Sequence, residues 1–244
     1  MNLSSKLDQL HLEAKSNKWL YYFTIFLRLF LAFGFITSGM VKIMGERFAA
    51  GLSVNHPMGQ YLEALHHTGF YYTFIGFVQV IAALLLLIPR TVLLGALIYF
   101  PVILNICILS YAVRFEGSTL TSPLMVLACL YLICWNYDKI KYILPFKQGD
   151  ELTRTKISKT LNPKFPVKFF LGVALTVAGI VLFLKFGFEI MPRNSLKDCN
   201  SQFIGTNRTH AGAKFCDCGH KQGLPLDASI LQYDKIADDA EGSE

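Results

Sequence analysis

Trp19-Leu-Tyr-Tyr-Phe-Thr-Ile-Phe-Leu-Arg28-Leu-Phe-Leu-Ala-Phe-Gly34-Phe-Ile-Thr-Ser-Gly39-Met-Val41 decides the fold. Apolar residues cover every face of this stretch, and Arg28 is its one charge. A hydrocarbon layer about 30 Å thick takes roughly 20 apolar residues in helix. Four further stretches have the same character: Phe70 to Ile88, Thr91 to Val113, Leu120 to Tyr137, and Val167 to Phe188. None alternates polar and apolar residues as a barrel strand would. Pro89-Arg90 is the sole break between the second and third, which predicts a tight helical hairpin. The expected fold is therefore an all-α integral membrane protein. The first stretch is too long for a signal-peptide core, and no small-residue cleavage site follows it.

Composition agrees. The chain has 244 residues, 53% hydrophobic and only 16% charged, against about 25% in a soluble domain. Nine of its 17 acidic residues lie after Phe188. Its net charge of +6 gathers between Lys139 and Lys164 instead of forming a nucleic-acid-binding stripe, so no nucleic-acid partner is expected. The chain divides into a preamble (1–18), four spans (19–41, 70–88, 91–113, 120–137), a basic linker (142–166), a fifth span (167–188) and a tail (189–244). Basic residues flank the spans mainly on the side of the N-terminus and linker. That side is expected in the cytoplasm and the tail outside, the chain being multi-pass in a cell membrane, a bacterial inner membrane. The tail ends in Ala-Asp-Asp-Ala-Glu-Gly-Ser-Glu and is expected to be too polar to fold alone.

Ionisable groups inside a membrane are costly and draw attention to Arg28, about 12 Å into its span. Phe35, Gly39 and Lys42 share its helical face. Gln79, about 13 Å from the inner end of the second span, is the expected partner, with Asn105 higher on the third span. These three form the candidate intramembrane site. The alternative is that they only bind helices together, at about 0.6 kcal/mol each. Lys42, Glu46, Arg114 and Glu116 fall at one depth near the outer edge, either as a structured charge cluster or as separate headgroup contacts. Met58 to His67 is an amphipathic run on the outer surface. His56, His66 and His67 have no ligand spacing, so surface histidines and no metal site are expected.

Of the six cysteines, Cys107, Cys129 and Cys134 lie in spans and read as small apolar residues. Cys199, Cys216 and Cys218 lie in the tail, where an oxidising compartment favours one disulfide involving Cys199 and one thiol left over. Asn207-Arg208-Thr209 has the form of a glycosylation acceptor. No Walker loop, dinucleotide fingerprint, zinc-protease helix or nucleophile elbow is present, so no catalytic motif marks an enzyme.

Arg28-Leu-Phe-Leu-Ala-Phe-Gly34, Ser38-Gly39-Met-Val-Lys42, and Phe74-Ile-Gly76-Phe-Val-Gln79 followed by Pro89-Arg90 resemble the DoxX-like family of small membrane proteins over about residues 19–141. The resemblance implies a four-helix transmembrane bundle, here with a fifth transmembrane helix and a polar tail added. It also implies a redox-linked accessory role, with quinone as cofactor near Arg28 and Gln79 and an extracytoplasmic or membrane oxidoreductase as partner. Many members carry Glu where this chain has Gln79, so their Arg–carboxylate pair is not available here. The alternatives are a small anion carrier or channel, assembled as a homo-oligomer, and a scaffold that binds partners through its tail.

Overall fold

A computed structural model describes residues 3–52, 54, 56–140, 162–187, 195–224 and 226–241. Among these the regular elements are helices, with one isolated bridge joining Asn17 to Asn162. In chain order they are α1 (Leu3–Ser16), α2 (Lys18–Ile43), α3 (Pro57–His66), α4 (Phe70–Leu87), α5 (Val92–Ala112), α6 (Glu116–Thr119), α7 (Thr121–Trp135), α8 (Tyr137–Ile140), α9 (Val167–Phe186), α10 (Leu196–Ser201), α11 (Thr209–His220) and α12 (Leu226–Glu241). Five segments are long and apolar enough to cross a membrane: Lys18–Ile43, Phe70–Leu87, Val92–Ala112, Gly117–Trp135 and Val167–Phe186. By length and composition the chain is thus a multi-pass membrane protein, and each expected span coincides with one of these segments to within three residues at every described end. The linker up to residue 161 and the end of the fifth span at residue 188 lie outside the described residues.

The chain separates into two compact units. The first comprises residues 1–39, 77–104 and 123–179. Within it, lengths of α2, α4, α5 and α7 pack around Leu31, Ala82, Leu86, Ala96, Tyr99 and Leu132, each fully buried. Lipid tails are as apolar as leucine, so close packing and interhelical hydrogen bonds, not water exclusion, hold such helices together. Both are visible. The Phe35 and Tyr99 rings stack, the Tyr99 hydroxyl donates to the Leu31 carbonyl at 3.3 Å, and the Cys129 thiol donates to the Ala96 carbonyl at 3.3 Å. Pro101 lies inside α5 without ending it.

Gly95 sets the closeness of the α4–α5 hairpin. A Cβ at this position would lie 2.8 Å from the Leu86 nitrogen and 3.0 Å from the Ala82 oxygen, both backbone atoms that cannot step aside. In α9 no residue is buried. Its Phe169 and Phe170 rings meet Phe23 edge-on at 5.5 and 5.6 Å. The preamble is helical, and Lys15 bonds Asp138 at 2.9 Å.

The second unit comprises residues 40–76, 105–122 and 180–244. Its α3 begins at His56, whose Nδ1 accepts the Met58 N–H at 3.0 Å, with Pro57 at the first helical position. That pairing of N-cap acceptor and proline is a strong start signal, because proline has no N–H to leave unsatisfied. Leu52, Met58 and Leu62 form a small core with Leu109, Val113 and Phe115 around it.

The tail folds, contrary to the expectation from its polarity. Ser195 and Asp198 close a capping box at the start of α10, Cys199 is joined to Cys216, the rings of Phe203, Phe215 and Tyr233 pack against one another, and Phe203 lies over Gly212. Only the last residues are uniformly polar. Before them Ser229, Tyr233 and Ala237 follow one another at helical spacing on one face, with Ser229 and Ala237 buried and the half-buried Tyr233 ring against Phe203. A cross-link then supplies what so small a core lacks.

Candidate functional site

Arg28 is explained by the end of α4. The last carbonyls of a helix lack intrahelical donors, and inside a membrane no water replaces them. Pro89 has no N–H to give Leu85, and the Thr91 hydroxyl takes that carbonyl at 2.9 Å. Arg28 then donates Nε to the Leu86 carbonyl at 2.7 Å and Nη2 to the Leu87 carbonyl at 2.6 Å. The guanidinium also meets the negative end of the helix dipole. The expected bond to Gln79 is not formed: the Gln79 side chain is fully buried with its Oε1 lacking a hydrogen-bond partner. Helix lengths explain the misregister. With 26 residues α2 is about 39 Å long, against about 27 Å for the 18 residues of α4. Counting both from one membrane plane therefore places Gln79 too close to Arg28. Of the expected trio, Arg28 and Gln79 are thus not bonded to each other, and Asn105 is exposed on the side of α5.

The outer-edge residues meet other partners. Lys42 is 6% exposed, with Nζ 4.4 Å from the Phe48 ring centroid and 5.9 Å from that of Tyr72. Such contacts stabilise a desolvated cation through the negative face of the ring. The Tyr72 hydroxyl donates to the Glu46 backbone carbonyl at 2.8 Å and accepts the Phe48 N–H at 2.7 Å, so Glu46 contributes its main chain. Arg114, at a φ of 52°, donates to the Gly223 carbonyl at 3.3 Å. The side chain of Glu116 lies outside the described residues. An ion pair the sequence did not suggest, Arg47 to Glu63 at 3.1 Å, ties the loop to α3, and Arg47 also donates to the carbonyls of Ala50 and Leu52.

These contacts fasten three distant pieces of chain into one assembly: the loop with α3, the link between α5 and α7, and the tail. Arg114 reaches the tail at Gly223, while the adjacent Phe115 ring meets the His56 ring edge-on at 5.7 Å. His220 lies three residues before Gly223 and ends α11. One of the histidines expected at the surface behaves otherwise: His56 is 1% exposed. His66 keeps a partly exposed position, where it hydrogen-bonds the Gly45 carbonyl at 3.0 Å. His220 is 5% exposed. Burial lowers the pKa of both His56 and His220, and the proximity of His220 lowers that of His56 further, so both are neutral near pH 7.

The tail cysteines complete the site. The Cys199–Cys216 disulfide spans a Cα–Cα distance of 5.8 Å. Cys218 is a buried free thiol that donates to Gln232 Oε1 at 2.8 Å. Residues two apart on a helix project about 200° apart, so Cys218 and Cys216 leave α11 on different faces. Cys216 and His220, four apart, share a face. Chemically the assembly offers a disulfide, a separate thiol and two neutral imidazoles, all shielded from solvent. Among the described residues no group of three or more His, Cys, Asp or Glu is placed to hold a metal.

Comparison with known proteins adds one relative. The chain is 37% identical over 133 residues to a Bacillus subtilis protein, the uncharacterized protein YwoB, a match covering 50% of this chain and 80% of that protein. No family profile and no solved structure matches the chain.

Proposed function

We propose that this chain, which belongs to the family of YwoB, is a redox-linked accessory membrane protein whose working group is the thiol–disulfide set of its folded tail. The observation that carries this reading is the Cys199–Cys216 disulfide with Cys218 held as a thiol two residues on, in a unit that also buries His56 and His220. The excess of basic residues beside the N-terminal side of the spans supports a cytoplasmic N-terminus and a tail in the oxidising compartment, where such a disulfide persists. Because Arg28 is engaged by the end of α4, the proposal rests on the cysteines and not on a quinone at Arg28 and Gln79. The electron partner is a membrane or extracytoplasmic oxidoreductase. The DoxX resemblance agrees with this reading in kind.

The test is the redox state of Cys199 and Cys216 in cells, read by acid quenching and alkylation with a mass tag. The reduced share is expected to rise when respiration is halted by withdrawing oxygen. A pair that stays fully oxidised in both states contradicts a redox role. It would leave the scaffold reading, which one observation favours: Ile204, Leu226 and Leu231 are 74%, 61% and 70% exposed on the stapled tail, as a docking surface requires.

A further inference from the structure

His56 holds the start of α3 through a single lone pair. Its backbone is extended (φ −79°, ψ 135°), Pro57 at the first helical position has no N–H, and Nδ1 accepts the Met58 N–H at 3.0 Å. Met58 is 4% exposed, so water is not at hand to replace this acceptor. With Nδ1 engaged, the neutral ring carries its proton on Nε2, which is buried without an acceptor. A second proton can enter only at Nδ1, and there it displaces the Met58 N–H. Asparagine, aspartate, serine and threonine are the common caps, and asparagine would accept the same bond without titrating. What histidine adds is a cap that acid switches off.

We propose that His56 is a proton-operated latch for α3: a proton taken up at Nδ1 breaks the helix cap and releases the helix from the core of Leu52, Met58 and Leu62. The proton comes from solvent, and the resulting imidazolium has two N–H donors, neither with an acceptor while the ring is buried. Charging and burial therefore exclude each other, and the charged ring leaves its place beside Phe115. Other groups nearby titrate or carry charge. On α3, Glu63 is held by Arg47 of the loop and by His67, and His66 by the Gly45 carbonyl. On the link after α5, Arg114 adjoins Phe115 and bonds Gly223, and on α11 His220 is the titratable group whose charge reaches His56.

The direction of the response follows from burial, which holds the latched His56 below the ordinary histidine value. The released state therefore binds the proton more tightly. The latch is at full strength above about pH 6.5 and weakens by up to about tenfold per pH unit below it, until the latched ring itself is charged. The latch does not depend on whether the disulfide turns over.

The test follows amide hydrogen exchange of α3 by mass spectrometry, in the full chain in nanodiscs with its disulfide intact, at about pH 7 and about pH 5. After correction for the intrinsic exchange rate, the α3 amides are expected to open about tenfold more in acid. His56→Asn keeps an oxygen acceptor for the Met58 N–H and cannot take the proton, so its acid response is expected to vanish while Glu63, His66, His67 and His220 remain. Peptide mapping without reductant reports whether Cys199–Cys216 is joined, and hence whether the variant has folded. In the wild type, exchange of each histidine's C2 hydrogen reads that ring's own titration, and His56 is expected to become charged over the pH range in which α3 opens. No acid response in the wild type, an unchanged response in His56→Asn, or a His56 that stays neutral where α3 opens overturns the latch. If His56→Asn does not fold, the wild-type histidine titration decides.

Discussion

Cys216→Ser is expected to accelerate amide hydrogen exchange in α10 and α11 by about two orders of magnitude while leaving α2, α4, α5 and α7 unchanged. The disulfide closes a sequence separation of 17, for which loop-closure entropy gives about 3 kcal/mol. That corresponds to about a hundredfold in the opening equilibrium. The three tail helices have 6, 12 and 16 residues and a core of Ala211, Cys216, Cys218 and Ala237, too little to hold them without a staple. Cys218→Ser serves as the contrast. It keeps a donor for Gln232 and removes no cross-link, so exchange in the tail is expected to stay within about tenfold of the wild type. Equal effects of the two substitutions would show that burial of sulfur, and not the cross-link, holds the tail.

The second large effect is expected at Gly95. In Gly95→Val the new Cβ is driven against Leu86 N, Ala82 O and the Leu85 carbonyl carbon, the farthest only 3.0 Å away. Inserting carbon atoms into a packed contact costs about 1–3 kcal/mol, and backbone cannot yield as a flexible side chain does. The α4–α5 hairpin must then splay, which also pulls the Leu86 and Leu87 carbonyls from Arg28. Expected are a sharply lower yield of monodisperse protein after detergent extraction and a fall of several degrees in Tm. Gly172→Ala in α9 is the control, since nothing lies within 4 Å of a Cβ there. If the control fell as far as Gly95→Val, glycine content rather than the close approach would be responsible.

The spans were legible because length and all-round apolarity are properties of each segment alone. Pairing between spans was not. Arg28 and Gln79 matched in depth only when α2 and α4 were counted from a shared plane. The 26-residue α2 and 18-residue α4 do not have one. What Pro89 leaves unsatisfied was the better guide: a proline four residues after Leu85 announces an open carbonyl that needs a donor. The tail was misjudged by averaging its last residues with the amphipathic spacing before them. Cys199 was marked as one end of a disulfide, but Cys216 and Cys218 lie on different faces of α11, and the helix phase that chooses between them depends on tertiary packing. His56-Pro57 did carry a readable cap signal. Nothing in the spacing of His56 and His220 announced that they share a buried assembly, because the link through Phe115, Arg114 and Gly223 is made only in three dimensions.

The central claim is an odd number of crossings that separates the N-terminus from a disulfide-bonded tail. It is tested most directly in right-side-out membrane vesicles from a strain expressing Ser5→Cys. The vesicles are treated with a membrane-impermeant phosphine and then an impermeant maleimide mass tag, and the tagged peptides are mapped. The prediction is that Cys199 and Cys216 take the tag only after reduction, while the cysteine introduced by Ser5→Cys remains untagged until the vesicles are opened. Tagging of that N-terminal cysteine and the tail from the same side would contradict five crossings, and tagging of Cys199 or Cys216 without reduction would contradict the disulfide.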